Sequence, residues 1–168
     1  MKKDKLKLVC LTGVFTALIF VLTAYIHIPS HTGYTHVGDG ITYLAACILP
    51  LPYGVFAGAC GALLADCISG FAIWAPGTVI IKAVTVLLFS PKGEKVLKLR
   101  NILALIPALL VCSGGYYIYE SILTGNFISP LGGIYGYITQ SVLSSLLYIF
   151  LGITLDKLKF KKYLIGGN

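Results

Sequence analysis

Twelve of the thirteen Lys and Arg residues fall in three short clusters, and the stretches between the clusters are apolar. The clusters are Lys2, Lys3, Lys5 and Lys7; then Lys92, Lys95, Lys98 and Arg100; then Lys157, Lys159, Lys161 and Lys162. The one remaining cation, Lys82, stands alone inside an apolar run. With 57% hydrophobic and only 11% charged residues, and a mean hydropathy of +0.89, the chain lacks the polar surface that a soluble domain requires, whereas a bilayer requires none. These features predict an integral membrane protein.

Cytoplasmic loops collect Lys and Arg, so the three clusters are expected together on the cytoplasmic side, with an even number of crossings between consecutive clusters. At about 20 residues per span, residues 8–91 hold four helices and residues 101–156 hold two. The expected fold is all-α, a six-transmembrane-helix bundle with both termini cytoplasmic and the whole chain, 1–168, as one domain. The expected spans are 8–27, 38–49, 53–71, 76–89, 101–119 and 131–155. The second and fourth are short for crossing a bilayer, which predicts a dished outer face covered by longer loops. Residues 50–54, with Pro50 and Pro52, read as a compact inside turn, because each Pro disfavours helix at the residue before it. The expected outside segments, 28–37, 70–75 and 121–130, contain no Lys or Arg. The apolar core of the first span is longer than a signal-peptide core, so a retained helix is expected. The +7 formal charge is therefore a topology signal and not a nucleic-acid-binding patch.

The five cysteines, Cys10, Cys47, Cys60, Cys67 and Cys112, all lie in apolar spans without the spacing of metal knuckles or redox pairs. They read as compact hydrophobic packing residues. The third span carries Gly54, Ala57, Gly58, Gly61, Ala62 and Ala65 at intervals of three and four, a smooth face on which another helix can approach closely. Gly13 and Ala17 repeat that spacing on the first span. Internal packing is the simpler reading for the third span; for the first, contact with a separate membrane protein is a close second to it.

Polar residues within the spans point to chemistry. Lys82 lies six residues past Pro76, about 9 Å below the outer end of the fourth span at 1.5 Å per residue. A Lys at that depth needs a partner or a wet cavity. Asp66, about 6 Å below the same face on the third span, is the expected partner; the two either form a structural ion pair or both line a ligand cavity. Glu120 ends the fifth span on the outer side. Asp39 opens the second span there, where an acid also favours a helix N-terminus. Aromatic residues gather at the same end, among them Tyr34, Tyr43, Phe71, Trp74, Tyr116, Tyr119, Tyr135 and Tyr137. Some belong to the ordinary interfacial belt. With Lys82, Asp66, Glu120 and Gln140 they also suit a pocket that stacks a planar ring and hydrogen-bonds its edges. The candidate ligand-binding residues are Asp39, Tyr43, Asp66, Trp74, Lys82, Tyr116, Glu120, Tyr137 and Gln140, in a pocket near the extracellular face.

The run Gly58-x-x-Gly61-x-x-Leu64-x-Asp66-x-x-x-Gly70-x-x-x-Trp74-x-Pro76-x-Thr78-x-x-x-Lys82 resembles the signature of substrate-binding S components of energy-coupling factor (ECF) vitamin transporters, in particular the riboflavin-type group. Gly38-Asp39 and Gly114-Gly115-Tyr116, followed by Glu120 and Gly125, resemble the same group, and the likeness extends over essentially the whole chain. One departure is that relatives often read Pro-Gly-Asn before the last-span Gln, whereas this chain has Tyr135-Gly136-Tyr137 ahead of Gln140, losing an amide contact. The resemblance implies capture of a vitamin or vitamin precursor from outside a prokaryotic plasma membrane. It also implies delivery by tilting against a transmembrane coupling subunit driven by two cytoplasmic ATPase subunits. Gly13 and Ala17 occupy the place of the motif that contacts the coupling subunit. No cofactor is expected. ATP hydrolysis by this chain is not expected either, because no glycine-rich loop ending in Lys-Ser or Lys-Thr is present.

Two other classes compete. A metal-selective transport subunit would use His27, His31 and His36, since imidazole is a good ligand for Ni, Co and Zn, but their loop holds Pro29 and Gly33 and no helical face aligns them. Protonation of these histidines would also make ligand binding change near neutral pH. An intramembrane enzyme would need a nucleophile or zinc motif, and neither Gly-x-Ser-x-Gly nor His-Glu-x-x-His occurs.

Overall fold

The computed structural model describes residues 2–29 and 34–165. Helix α1, Lys2–Ala24, leads into an antiparallel hairpin of β1, His27–Pro29, and β2, Tyr34–His36, in which His27 faces His36 and Pro29 faces Tyr34. The helices α2, Gly38–Ile48, α3, Leu51–Ile68, and α4, Ala75–Leu88, follow, with a 3-10 turn at Ala72–Trp74 before α4. The chain continues through α5, Leu99–Leu103, α6, Leu105–Thr124, a 3-10 turn at Ser129–Gly133, α7, Ile134–Lys157, and α8, Phe160–Ile165. Four segments, Lys5–Ala24, Leu51–Ile68, Leu99–Thr124 and Ser129–Lys157, are long and apolar enough to cross a membrane. Ala72–Leu88 is apolar but shorter. The protein is a multi-pass membrane protein built as a helical bundle.

The helices pack in the cycle α1, α3, α4, α6, α7, α2, with α2 also touching α3 and α4. Every residue of α2 is buried. Its 11 residues span only about 16 Å, roughly half of a bilayer's hydrocarbon thickness. That length is tolerable because protein, not lipid, surrounds the helix and its ends.

Several boundaries differ from the sequence expectation for local reasons. α1 starts at Lys2 rather than near residue 8, since Lys is a good helix former. Tyr53 and Gly54 are helical rather than part of a turn: Pro50 caps α3 and Pro52 sits in its first turn, where a missing N–H costs nothing. The fifth span is interrupted at Ala104. Pro107 cannot donate to the carbonyl of Leu103 and its ring crowds it. α6 then runs to Thr124, past residue 119, and ends at Gly125 with φ +63°, so Glu120 lies inside the helix rather than at its end. α7 begins at Ile134 rather than near residue 131, after the 3-10 turn that holds Pro130.

The small face of α3 is internal. A Cβ at Gly61 would lie 2.8 Å from the Thr16 carbonyl and 2.9 Å from Ile19, and one at Gly58 would lie 3.0 Å from Thr42. α3 therefore packs backbone-close on α1 and α2. Gly13 and Ala17 face the other way: both are exposed, and a Cβ at Gly13 would meet nothing within 4 Å.

The three cation clusters meet at one end. Lys7 donates to the Leu164 carbonyl at 2.6 Å, and Asp156 accepts from the Val96 and Leu97 amides at 2.7 and 2.9 Å. Asn101 holds the intervening loop by donating to the Ser90 and Val96 carbonyls, each at 3.1 Å. The hairpin, the 3-10 turns and the lone Lys82 belong to the other half of the bundle.

Candidate ligand-binding site

Lys82 is 1% exposed, and its ammonium points to α2. Nζ lies 2.6 Å from Asp39 Oδ1. The expected pairing with Asp66 is therefore corrected. Asp39 is also sealed from water, at 2% exposure, so a carboxylate there needs a cation more than Asp66 does. Its other oxygen, Oδ2, accepts from Gln140 Nε2 at 2.9 Å, and the Cys112 thiol lies 3.8 Å away. Cys112, read from the sequence as a packing residue, borders this polar cluster. The Lys82 ammonium also sits 5.1 Å from the centre of the Tyr116 ring, a cation–π distance.

Asp66 takes a different donor. The Tyr34 hydroxyl, delivered by the hairpin, donates to Asp66 Oδ1 at 2.6 Å. Asp66 Oδ2 is buried without a hydrogen bond of ordinary geometry among the described residues, with Thr78 beside the carboxylate. Burial, with the Asp66 charge next, holds the Tyr34 hydroxyl well above the usual tyrosine range, so it remains a donor. The Tyr34 ring is wedged between His27 and Phe71, each with centroids 4.8 Å away, and His36 at 5.6 Å.

The aromatic wall comes from the 3-10 turn before α4 and from α6 and α7. Tyr116 and Tyr137 stack at 5.4 Å with planes 22° apart, and Trp74 tilts against Tyr116 at 6.2 Å. Tyr137 donates to Glu120 Oε2 at 2.5 Å, and Tyr116 donates to Thr78 Oγ1 at 3.3 Å. Gly77 is what lets α6 come this close: a Cβ there would stand 2.5 Å from the Tyr119 ring.

His36 is buried, and its Nδ1 accepts from the Gly38 amide at 3.2 Å, which leaves Nε2 as the protonated nitrogen. Burial pushes its pKa down from 6.5 to about 4; Asp39 pulls it up, while Lys82 and His27 push it further down. The imidazole is neutral near pH 7. Among the described residues no cluster of three His, Cys, Asp or Glu side chains could hold a metal ion. His31 lies outside the described residues.

Tyr34, His36, Asp66, Trp74, Thr78, Tyr116, Tyr137 and Gln140 line one cavity of about 30 Å³, room for about one water. Of the candidates named from the sequence, Asp66, Trp74, Tyr116, Tyr137 and Gln140 line it. Asp39 and Lys82 stand one layer behind Gln140 and Tyr116, and Glu120 stands behind Tyr137. Tyr43 is not among the lining residues: it is 1% exposed and stacks on Phe89 at 4.9 Å and edge-on to Tyr148 at 6.0 Å. Its position in the buried short helix turns the ring into the core of the bundle. The lining residues absent from that candidate list are Tyr34, His36 and Thr78. Thr78 stands within the motif run, while Tyr34 and His36 reach the site only through the hairpin register.

A polar and aromatic pocket at one end of a multi-pass helical bundle defines a membrane-embedded small-molecule binding protein. The family model for the ECF-type riboflavin transporter, S component, matches residues 3–157, and the chain belongs to that family. It is a substrate-binding subunit of a transporter rather than an enzyme. No curated protein matches the chain.

Proposed function

We propose that this subunit captures a water-soluble, planar vitamin or vitamin precursor from outside a prokaryotic cell, with riboflavin, named by the family, as the first candidate. The chain crosses the plasma membrane six times with both termini cytoplasmic. It delivers its cargo by tilting against a transmembrane coupling subunit powered by two ATPase subunits.

The observation that carries this reading is the juxtaposition of the Tyr116–Tyr137 stack and Trp74 with the Asp66 carboxylate. Rings of this kind offer π-faces to a flat heterocycle, and the carboxylate accepts from an N–H or O–H on its edge. The Lys82 charge is spent on Asp39, so the pocket favours ligands that donate hydrogen bonds over ligands that carry a carboxylate. Because the cavity is only about 30 Å³, a vitamin-sized ligand takes its place by displacing Tyr34 from Asp66 and opening the hairpin.

The test is a titration of the purified chain with riboflavin, followed by quenching of flavin fluorescence, with pyridoxine and hydroxymethylpyrimidine measured by calorimetry. A Kd below about 1 μM, about −8 kcal/mol, for one of them that weakens at least tenfold in Asp66→Ala supports the reading. Binding unaffected by Asp66→Ala and Trp74→Ala, or no binding by any of the three, removes it.

A further inference from the structure

At the basic end a second cavity, of about 460 Å³, opens between α1, the α2–α3 turn, the segment after α4, and α8. Leu8, Leu11, Ile48 and Leu164 give it an apolar lining, and the exposed Lys7 and Lys92 stand at its edge. The bond from Lys7 Nζ to the Leu164 carbonyl fixes one ammonium there. A third lies close by. Lys161 is three residues before Leu164 on the same face of α8, is 1% exposed, and interacts electrostatically with Cys47, the neighbour of Ile48. Its Nζ has no hydrogen-bond partner among the described residues. Asp156 also interacts electrostatically with Lys161, but its two oxygens accept from the Val96 and Leu97 amides and it does not line the cavity.

We propose that this cavity binds one anionic phospholipid, its phosphate between Lys7 and Lys92 and the start of an acyl chain along Leu8, Leu11 and Ile48. Two ammoniums at the edge and a buried one without a hydrogen bond call for a negative charge. The apolar lining calls for hydrocarbon below it, which a free phosphate lacks and a zwitterionic lipid pairs with the wrong net charge. A basic rim over an apolar groove at the membrane surface is the arrangement that an anionic headgroup and its chain satisfy together. This site is independent of the vitamin pocket, which lies at the opposite end.

The test uses the full chain in neutral detergent micelles, with dioleoylphosphatidylglycerol or dioleoylphosphatidylcholine added and bound lipid counted by native mass spectrometry. One phosphatidylglycerol per chain is expected, retained at least tenfold better than phosphatidylcholine. The double variant Lys7→Ala/Lys92→Ala should lose most of that preference, and Leu11→Trp, which keeps every charge but fills the groove, should lose it too. Lys5→Ala/Lys157→Ala removes the same charge from exposed positions outside the groove and should keep it. Equal retention of the two lipids, as expected if the cavity instead seats another protein subunit, overturns the proposal. So does displacement of phosphatidylglycerol by inorganic phosphate at matched concentration, or equal loss in the two charge-matched double variants.

Discussion

Lys82 Nζ lies 2.6 Å from Asp39 Oδ1, tying α4 to the first turn of α2 where neither side chain reaches water. The contact explains how an 11-residue helix is held at depth inside the bundle. Asp39 sits where a helix N-terminus favours negative charge, Lys82 neutralises it from α4, and Gln140 reaches it from α7. The back of the ligand pocket is thus a closed polar cluster drawn from three helices.

Removing one partner of this pair strands the other in a low-dielectric interior, at a cost of about 3–5 kcal/mol. Lys82→Met and Asp39→Leu should each lower the melting temperature sharply in detergent, and the double variant should recover part of the loss. Thermal unfolding of the three variants checks this. Strictly additive losses would mean that the two residues act separately.

Tyr34 competes with the ligand for Asp66. Tyr34→Phe keeps the ring against His27 and Phe71 but removes the donor, so the free protein loses a bond that the ligand must otherwise displace. Ligand affinity should rise by about threefold to tenfold, in line with a net hydrogen bond of about 1 kcal/mol. Equilibrium titration of the variant against the parent chain reads this, and weakened binding would assign the Tyr34 hydroxyl to the bound ligand instead.

Because the His36 pKa is depressed to about 4, protonation of His36 should make no contribution to a change of ligand affinity between pH 6 and 8. The sign of the stability effect follows from linkage. Between pH 6.5 and 4 the unfolded chain binds a proton that folded His36 refuses, so stability falls as pH drops through that window and is complete above it. His36→Asn, which retains an acceptor for the Gly38 amide, should flatten the acid limb of a plot of melting temperature against pH. An unchanged limb would place the titrating group elsewhere.

Two small residues of similar appearance have opposite roles. Gly61→Leu drives a side chain into the Thr16 carbonyl and Ile19 and should destabilise the bundle by about 1–3 kcal/mol. Ala17→Leu places its side chain on the exposed face of α1. It should leave stability and ligand binding intact while blocking co-purification with the coupling subunit. Normal assembly of Ala17→Leu would remove this face from the contact.

The clustering of Lys and Arg already marks a membrane chain whose basic segments gather at one end. The three-and-four spacing of Gly54 through Ala65 marks a face for close packing. Both survive in the structure because solvation and helical periodicity act along the chain, residue by residue. The motif run from Gly58 to Lys82 likewise pointed to the family. Only the tertiary structure decided which carboxylate Lys82 meets. Asp39 and Asp66 are both within electrostatic reach of Lys82, and the choice rests on which way α4 is rotated about its axis, a quantity set by Gly77 against Tyr119 and by the packing of α2. The orientation of α2, buried on every side, likewise turns Tyr43 into the core. The hairpin register, not hydropathy, brings Tyr34 and His36 over the pocket, since contacts between distant segments depend on how helices close around one another.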